Sequence, residues 1–169
     1  DIPPIEQYSV RVGRANKLWV VGRLLSHMNK DDQTLIFTNT KRMVDLLVQR
    51  LKKHRFDVDG LHGDLSQNQR ERIISSFRSA DIKTIIATDV AARGIDVDGI
   101  TLVINYDVPD DVDSYVHRIG RTGRIGRTGN AWTLVGRDDI PQLNKIIATH
   151  SLEITPSEAP ELPDGVDRD

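Results

Sequence analysis

Short runs of β-branched and apolar residues alternate along the chain with stretches whose apolar positions recur at helical spacing. Ile5 to Val12 alternates apolar and polar residues as an edge strand does, with Pro3 and Pro4 ahead of it in an extended lead. Lys17 to Met28 sets Leu18, Val21, Leu25 and Met28 on one helical face. Thr34 to Phe37 is a short apolar run of the kind buried on both faces of a sheet. Thr38-Asn39-Thr40 then offers N-cap chemistry for a helix from about Lys41 to His54, with Val44, Leu47, Val48 and Leu51 on its inner face.

The unit repeats. Val58 to Leu61 reads as a weak strand, followed by His62-Gly63-Asp64 and by Ser66 with Gln69, a capping box for a helix to about Arg78 that turns Ile73, Ile74 and Phe77 inward. Lys83 to Ala87, Thr101 to Asn105 and Ala131 to Val135 are further strands, and Asp113 to Ile119 and Asp139 to Thr149 further helices. Strand followed by helix, about five times over, predicts an α/β domain: an open, mostly parallel sheet with helices on both faces, because parallel neighbours need helical crossovers. The domain is expected over residues 1–150. The acidic stretch 151–169, with Pro156, Pro160 and Pro163, is expected to be a flexible tail. Ligands of such sheets gather at the carboxyl ends of the strands, where this chain sets its polar segments, after Phe37, Leu61, Ala87 and Asn105.

His117 to Gly129 reads HRIGRTGRIGRTG. Its glycines each cost a helix interior about 0.5–1 kcal/mol relative to Ala, so the stretch is a loop following a short helix. Charge clusters are commonly solvated surface. Here Arg118, Arg121, Arg124 and Arg127 recur at every third position, an order that solvation does not require. A polyanion is the natural partner of so many guanidinium groups, and phosphate leads. Thr88 to Val97 (TDVAARGIDV) is the second signal: Thr, Arg, Gly and two Asp follow a buried strand. A hydroxyl, a guanidinium and an open glycine backbone suit a sugar-phosphate chain, and a carboxylate such as Asp96 suits ribose hydroxyls. Asp89 and Asp96 as ordinary helix caps is the competing reading.

Composition narrows the field. The 169 residues and 38% hydrophobic content fit one domain, and the net charge of −2 from 23 basic and 25 acidic residues means that any basic surface is local. From Ser151 onward the carboxylates Glu153, Glu158, Glu161, Asp164, Asp167 and Asp169 face only Arg168, leaving a mildly basic body and a tail that would repel a polyanion. The absence of cysteine removes disulfides, thiolate metal sites and cysteine nucleophiles, and suits a reducing compartment. With no membrane span or signal peptide, a cytoplasmic location is expected, or a nuclear one in a eukaryote. The start at Asp1 rather than Met suits a piece of a longer protein. His27, His54 and His150 lack a second ligand at metal spacing, so no metal site is expected. Trp19 and Trp132 are expected to pack rather than to stack on bases, and 5% aromatic content is too sparse for a stacking platform.

Leu35 to Lys41 (LIFTNTK), His62 to Arg70 (HGDLSQNQR), Thr88 to Val97, Asn105-Tyr106-Asp107 and His117 to Arg124 resemble, in order, the successive motifs of the C-terminal RecA-like domain of DEAD-box RNA helicases. The resemblance covers roughly Ile5 to Thr149. It implies that Arg121 and Arg124 are fingers reaching the γ-phosphate of ATP, held with Mg²⁺ mainly by an N-terminal RecA-like domain. It puts His117 and Arg118 at the interdomain contact as further catalytic residues, and Asp96 on the ATP ribose. Thr40, Gly63, Arg70, Thr88 and Gly94 would grip the RNA backbone, with Arg93 in the same cleft. Such contacts are independent of base sequence, and domain closure around ATP would then unwind a short duplex.

This chain carries no G-x-x-x-x-G-K-[ST] loop and no Asp-Glu-Ala-Asp motif, so it is expected not to hydrolyse ATP by itself. A DNA helicase domain and a non-catalytic nucleic-acid binding module remain as alternatives. The helicase reading expects the guanidinium groups of this stretch to project outward from the strand-end rim rather than to be tucked away from it and bonded to carboxylates of their own lobe.

Overall fold

The computed structural model describes residues 5–124 and 128–163. Among them, seven parallel strands form one sheet: β1 (Ile5–Arg11), β2 (Gln33–Phe37), β3 (Val58–Leu61), β4 (Thr84–Ala87), β5 (Ile100–Asn105), β6 (Gly129–Val135) and β7 (Thr155–Pro156). Their spatial order is β3-β4-β2-β5-β6-β1-β7. Five α-helices cover it: α1 (Lys17–Ser26), α2 (Lys41–Lys53), α3 (Gln67–Arg78), α4 (Val112–Ile119) and α5 (Ile140–His150). This is the open parallel α/β sheet with helices on both faces that the sequence predicts.

The central strands are continuous apolar runs because both of their faces are covered. Ile36, Ile86 and Ile104 point into a core shared with Val20, Val21 and Leu24 of α1 and Val44, Leu47 and Leu51 of α2. Leu35, Phe37, Ile85 and Val103 point the other way, onto Phe77 of α3, Tyr115 and Ile119 of α4 and Ile146 of α5. The capping box of α3 forms as its sequence spells it: Gln69 N donates to Ser66 Oγ at 3.1 Å, and Ser66 N to Gln69 Oε1 at 2.9 Å. No helix among the described residues is long and apolar enough to cross a membrane.

Four details differ from the sequence expectation. The buried face of α1 is Lys17, Val20, Val21, Leu24 and Leu25, rotated from the predicted stripe, with Leu18 and Met28 only half-buried at its margin. Strand β1 lies inside the sheet, paired with β6 along its whole length and with β7 at Tyr8 and Ser9. Trp19 is 55% exposed, lying under the Arg23 guanidinium at 3.8 Å, whereas Trp132 stacks on Tyr8 at 4.7 Å.

The fourth detail is the acidic segment, which runs back over the domain as far as Pro163. Leu152 joins the core, Ser157 N donates to Ser9 O at 2.8 Å, and Arg23 Nη1 donates to Pro160 O at 3.0 Å. Two-residue pairing and bonds from distant side chains to carbonyls leave no periodicity in a sequence. Pro3, Pro4, Gly126, Arg127, Asp164, Asp167, Arg168 and Asp169 lie outside the described residues.

Candidate functional site

The carboxyl ends of β3, β4, β2 and β5, adjacent in the sheet, open into loops that are tied to one another. Thr38 N donates to Ala87 O at 3.0 Å, Thr88 N to Leu61 O at 3.4 Å and Tyr106 N to Phe37 O at 2.9 Å. The segments following Phe37, Leu61, Ala87 and Asn105 therefore form one rim.

Thr40 is the N-cap of α2 and its Oγ1 accepts from Met43 N at 3.2 Å, which leaves the hydroxyl hydrogen available to an acceptor outside. Gly63 is exposed, with open space where a Cβ would stand. Beside it, His62 Nε2 lies 2.9 Å from Asp45 Oδ1, and its Nδ1 lies 3.2 Å from Asp64 N. Thr88 Oγ1 accepts from Ala91 N at 3.4 Å. Gly94 has φ of 80°, a left-handed turn that a side chain would strain, and it is exposed with no atom near. Arg93 is exposed next to it.

Arg70 reaches this rim from α3, but not as an open cation. Its Nη1 donates to Ala91 O and its Nη2 to Arg93 O at 2.8 Å, so its guanidinium braces the loop that carries Thr88 and Gly94.

The arginine stretch divides by burial. His117 is exposed on α4. Arg121 Nη1 donates to Ile95 O at 3.0 Å, and Arg124 forms an ion pair with Asp96 through Nη1 and Oδ1. Asp96, Arg121 and Arg124 thus share one corner of the rim, and all three keep exposed surface. Arg118 does not share it: the side chain is 1% exposed. Its Nε and Nη2 donate to Asp89 Oδ1 and Oδ2 at 2.7 and 2.8 Å, Nη2 also to Asn39 Oδ1 at 2.8 Å, and Nη1 to Asp107 O at 2.8 Å and Asn105 Oδ1 at 3.4 Å.

Two expectations meet a different geometry here. Arg118 presents no spare N–H to a partner lobe or a nucleotide in this arrangement, because all five are bonded inside its own lobe. Nor are the guanidinium groups free of their own carboxylates, because Asp89 holds Arg118 and Asp96 holds Arg124. Arg124 and Asp96 nonetheless stay on the strand-end rim. The sequence did not single out Asn39 or Asp107 as ligands of a buried arginine, and it offered Asp89 only as a cap. The one available sign was that Asn39 and Asp89 each follow a threonine at the end of a neighbouring buried strand.

Residues 16–126 match the family described as the helicase conserved C-terminal domain. The structure of the C-terminal domain of the DEAD-box protein Dbp5 aligns with a TM-score of 0.82 at 36% identity, covering 91% of this chain and 90% of that one. This chain is a DEAD-box helicase C-terminal domain.

Its DEAD-box relatives are longer. The DEAD-box ATP-dependent RNA helicase CshA of Geobacillus kaustophilus is 40% identical over 166 residues, 98% of this chain but 35% of the relative. The chain thus spans about a third of the length of the relatives it matches. Dbp5 of S. cerevisiae, in a structure bound to RNA and ADP BeF3, aligns with a TM-score of 0.87 at 34% identity, covering 94% of this chain and 43% of that one.

Proposed function

We propose that this domain is the C-terminal half of an ATP-dependent RNA helicase and works against an N-terminal RecA-like domain that holds ATP and Mg²⁺. The observation that carries the reading is the meeting of Asp96, Arg121 and Arg124 at one corner of the rim whose neighbouring loops present Thr40, Gly63, Thr88 and Gly94. A carboxylate beside two guanidinium groups suits a ribose next to phosphates, and on ATP binding the Arg124–Asp96 pair would exchange for those groups. Positive charge at the equatorial oxygens of a dissociative phosphoryl transfer is what an arginine finger supplies, worth about 10³–10⁵ in rate. His117, exposed at the end of α4, would face the N-terminal domain.

Hydroxyls and open glycine backbone recognise the sugar-phosphate chain rather than bases, so RNA binding is independent of base sequence. Arg93 is the one rim cation of the Thr88–Val97 loop whose side chain is exposed, and it would meet phosphate directly. Arg70 serves the same site through the loop it braces. Closure of the two domains then bends one strand and displaces its complement.

The test is steady-state ATP hydrolysis by the protein carrying its N-terminal domain. The reading expects stimulation by RNA and none by DNA of equal sequence; equal stimulation by both would point to a DNA translocase, and none by either to a binding module.

A further inference from the structure

We propose that Arg118 is a positioning residue that couples RNA binding to ATP hydrolysis, by locking the loops after β2, β4 and β5 to the helix that leads into Arg121 and Arg124. The inference rests on the helicase reading above and names how its two halves communicate. A guanidinium has five N–H donors in a rigid planar fork. Here each finds an acceptor: two on Asp89, one on Asn39, one on Asp107 O and the longest on Asn105 Oδ1. The Phe37 ring lies 5.2 Å from the guanidinium carbon.

The acceptors are adjacent to the proposed RNA contacts. Asn39 precedes Thr40, and Asp89 follows Thr88. The loops are cross-braced as well: Asn39 N donates to Asp107 Oδ2 at 2.9 Å, Asn39 Nδ2 donates to Val108 O at 3.0 Å, and Lys17 Nζ stands 3.5 Å from Asp107 Oδ1. Arg118 itself is one helical turn before Arg121 on α4 and its continuation.

A buried charge whose bonds are complete resists losing any one of them, because an uncompensated charge in the interior is expensive. A strand that shifts Thr40 or Thr88 therefore cannot leave α4 behind without breaking bonds to Arg118. Moving together, the loops carry the α4 end and the two exposed arginines with them. Lysine could not substitute: it has three donors and no fork.

Asn39→Ala tests this, since it removes one acceptor of Arg118, together with the Asn39 Nδ2 bond to Val108 O, and alters none of the side chains proposed for RNA or nucleotide contact. In the protein with its N-terminal domain, RNA-stimulated kcat is expected to fall, and the mutual tightening of RNA and a non-hydrolysable ATP analogue to drop by about 5- to 150-fold, the usual size of a coupling between binding sites. The unstimulated rate and the KM for ATP should stay within about twofold. Because coupling is reciprocal, the tightening of RNA binding by a non-hydrolysable ATP analogue should shrink by the same factor as the tightening of that analogue by RNA.

Asn39→Asp, which keeps an acceptor toward Arg118, should restore the coupling, and serves as the second variant should Asn39→Ala fold poorly. Stimulation that is unchanged in Asn39→Ala, or a proportional loss of both rates that Asn39→Asp does not repair, would overturn the inference alone. A wild type that RNA does not stimulate would overturn the helicase reading and this inference with it.

Discussion

Arg118 and Arg124 belong to one run of sequence and differ in almost everything the fold can impose. The first has a side chain 1% exposed and fully bonded within the domain; the second is 37% exposed and meets one carboxylate that is itself 67% exposed. Burial, not residue type, separates a group that holds the site together from groups able to leave their partner for a ligand. An exposed pair is worth about 0–1 kcal/mol and can be exchanged, whereas removing one partner of a buried pair costs about 3–5 kcal/mol.

The sharpest way to break that contrast is on the exposed side. If these residues are the proposed fingers, Arg121→Ala or Arg124→Ala in the protein with its N-terminal domain lowers ATP turnover by about 10³–10⁵ while equilibrium ATP binding changes little, because a finger acts on the transition state. Single-turnover kinetics with a parallel nucleotide titration checks this. Thermal midpoints should barely move, as befits an exposed pair.

On the buried side, Arg118→Ala should destabilise the domain by about 1–3 kcal/mol, since five hydrogen bonds of a buried guanidinium are lost while Asp89, whose side chain is 39% exposed, can turn to solvent. Denaturant unfolding reads this directly, and a loss comparable to that of Arg124→Ala would erase the distinction.

Arg70 lies between these extremes. If it only braces the Ala91 and Arg93 carbonyls, Arg70→Ala weakens RNA binding by about tenfold while the slope of log affinity against log salt stays the same. A slope reduced by about one would mean that Arg70 meets a phosphate itself.

The smallest effect concerns Tyr115 on the buried side of α4. Its hydroxyl donates to Gln7 Oε1 at 2.9 Å, and burial pushes its pKa well above the ordinary tyrosine value. The folded state therefore holds the proton more tightly than the unfolded chain. The resulting contribution to stability is complete below about pH 10 and declines as pH rises beyond it. Tyr115→Phe should cost about 1 kcal/mol at neutral pH and reduce that alkaline decline, as urea unfolding between neutral and alkaline pH would show.

Much of this was legible in the residues. Continuous apolar runs such as Thr34–Phe37 and Lys83–Ala87 pointed to the parallel sheet because doubly covered strands need such runs. The Ser66–Gln69 box gave the start of α3 because capping is a local interaction. The division of labour among the arginines was not legible. Whether Arg118 or Arg124 is buried depends on Asn39, Asp89 and Asp107 arriving from three separate loops, and no spacing within His117–Gly129 encodes that. The return of residues 155–163 onto α1 was equally hidden, since its bonds run from Arg23 and Ser9 across the whole chain.

The central claim is that the exposed arginines of this domain complete chemistry housed in a second one. The most direct measurement is the ATP hydrolysis rate of the 169-residue chain beside that of the same domain joined to its N-terminal domain, each with and without RNA. The isolated chain is expected to show no hydrolysis above background and the joined protein RNA-stimulated turnover that Arg124→Ala abolishes. RNA-stimulated hydrolysis by the isolated chain, or turnover in the joined protein that is indifferent to Arg124, would contradict it.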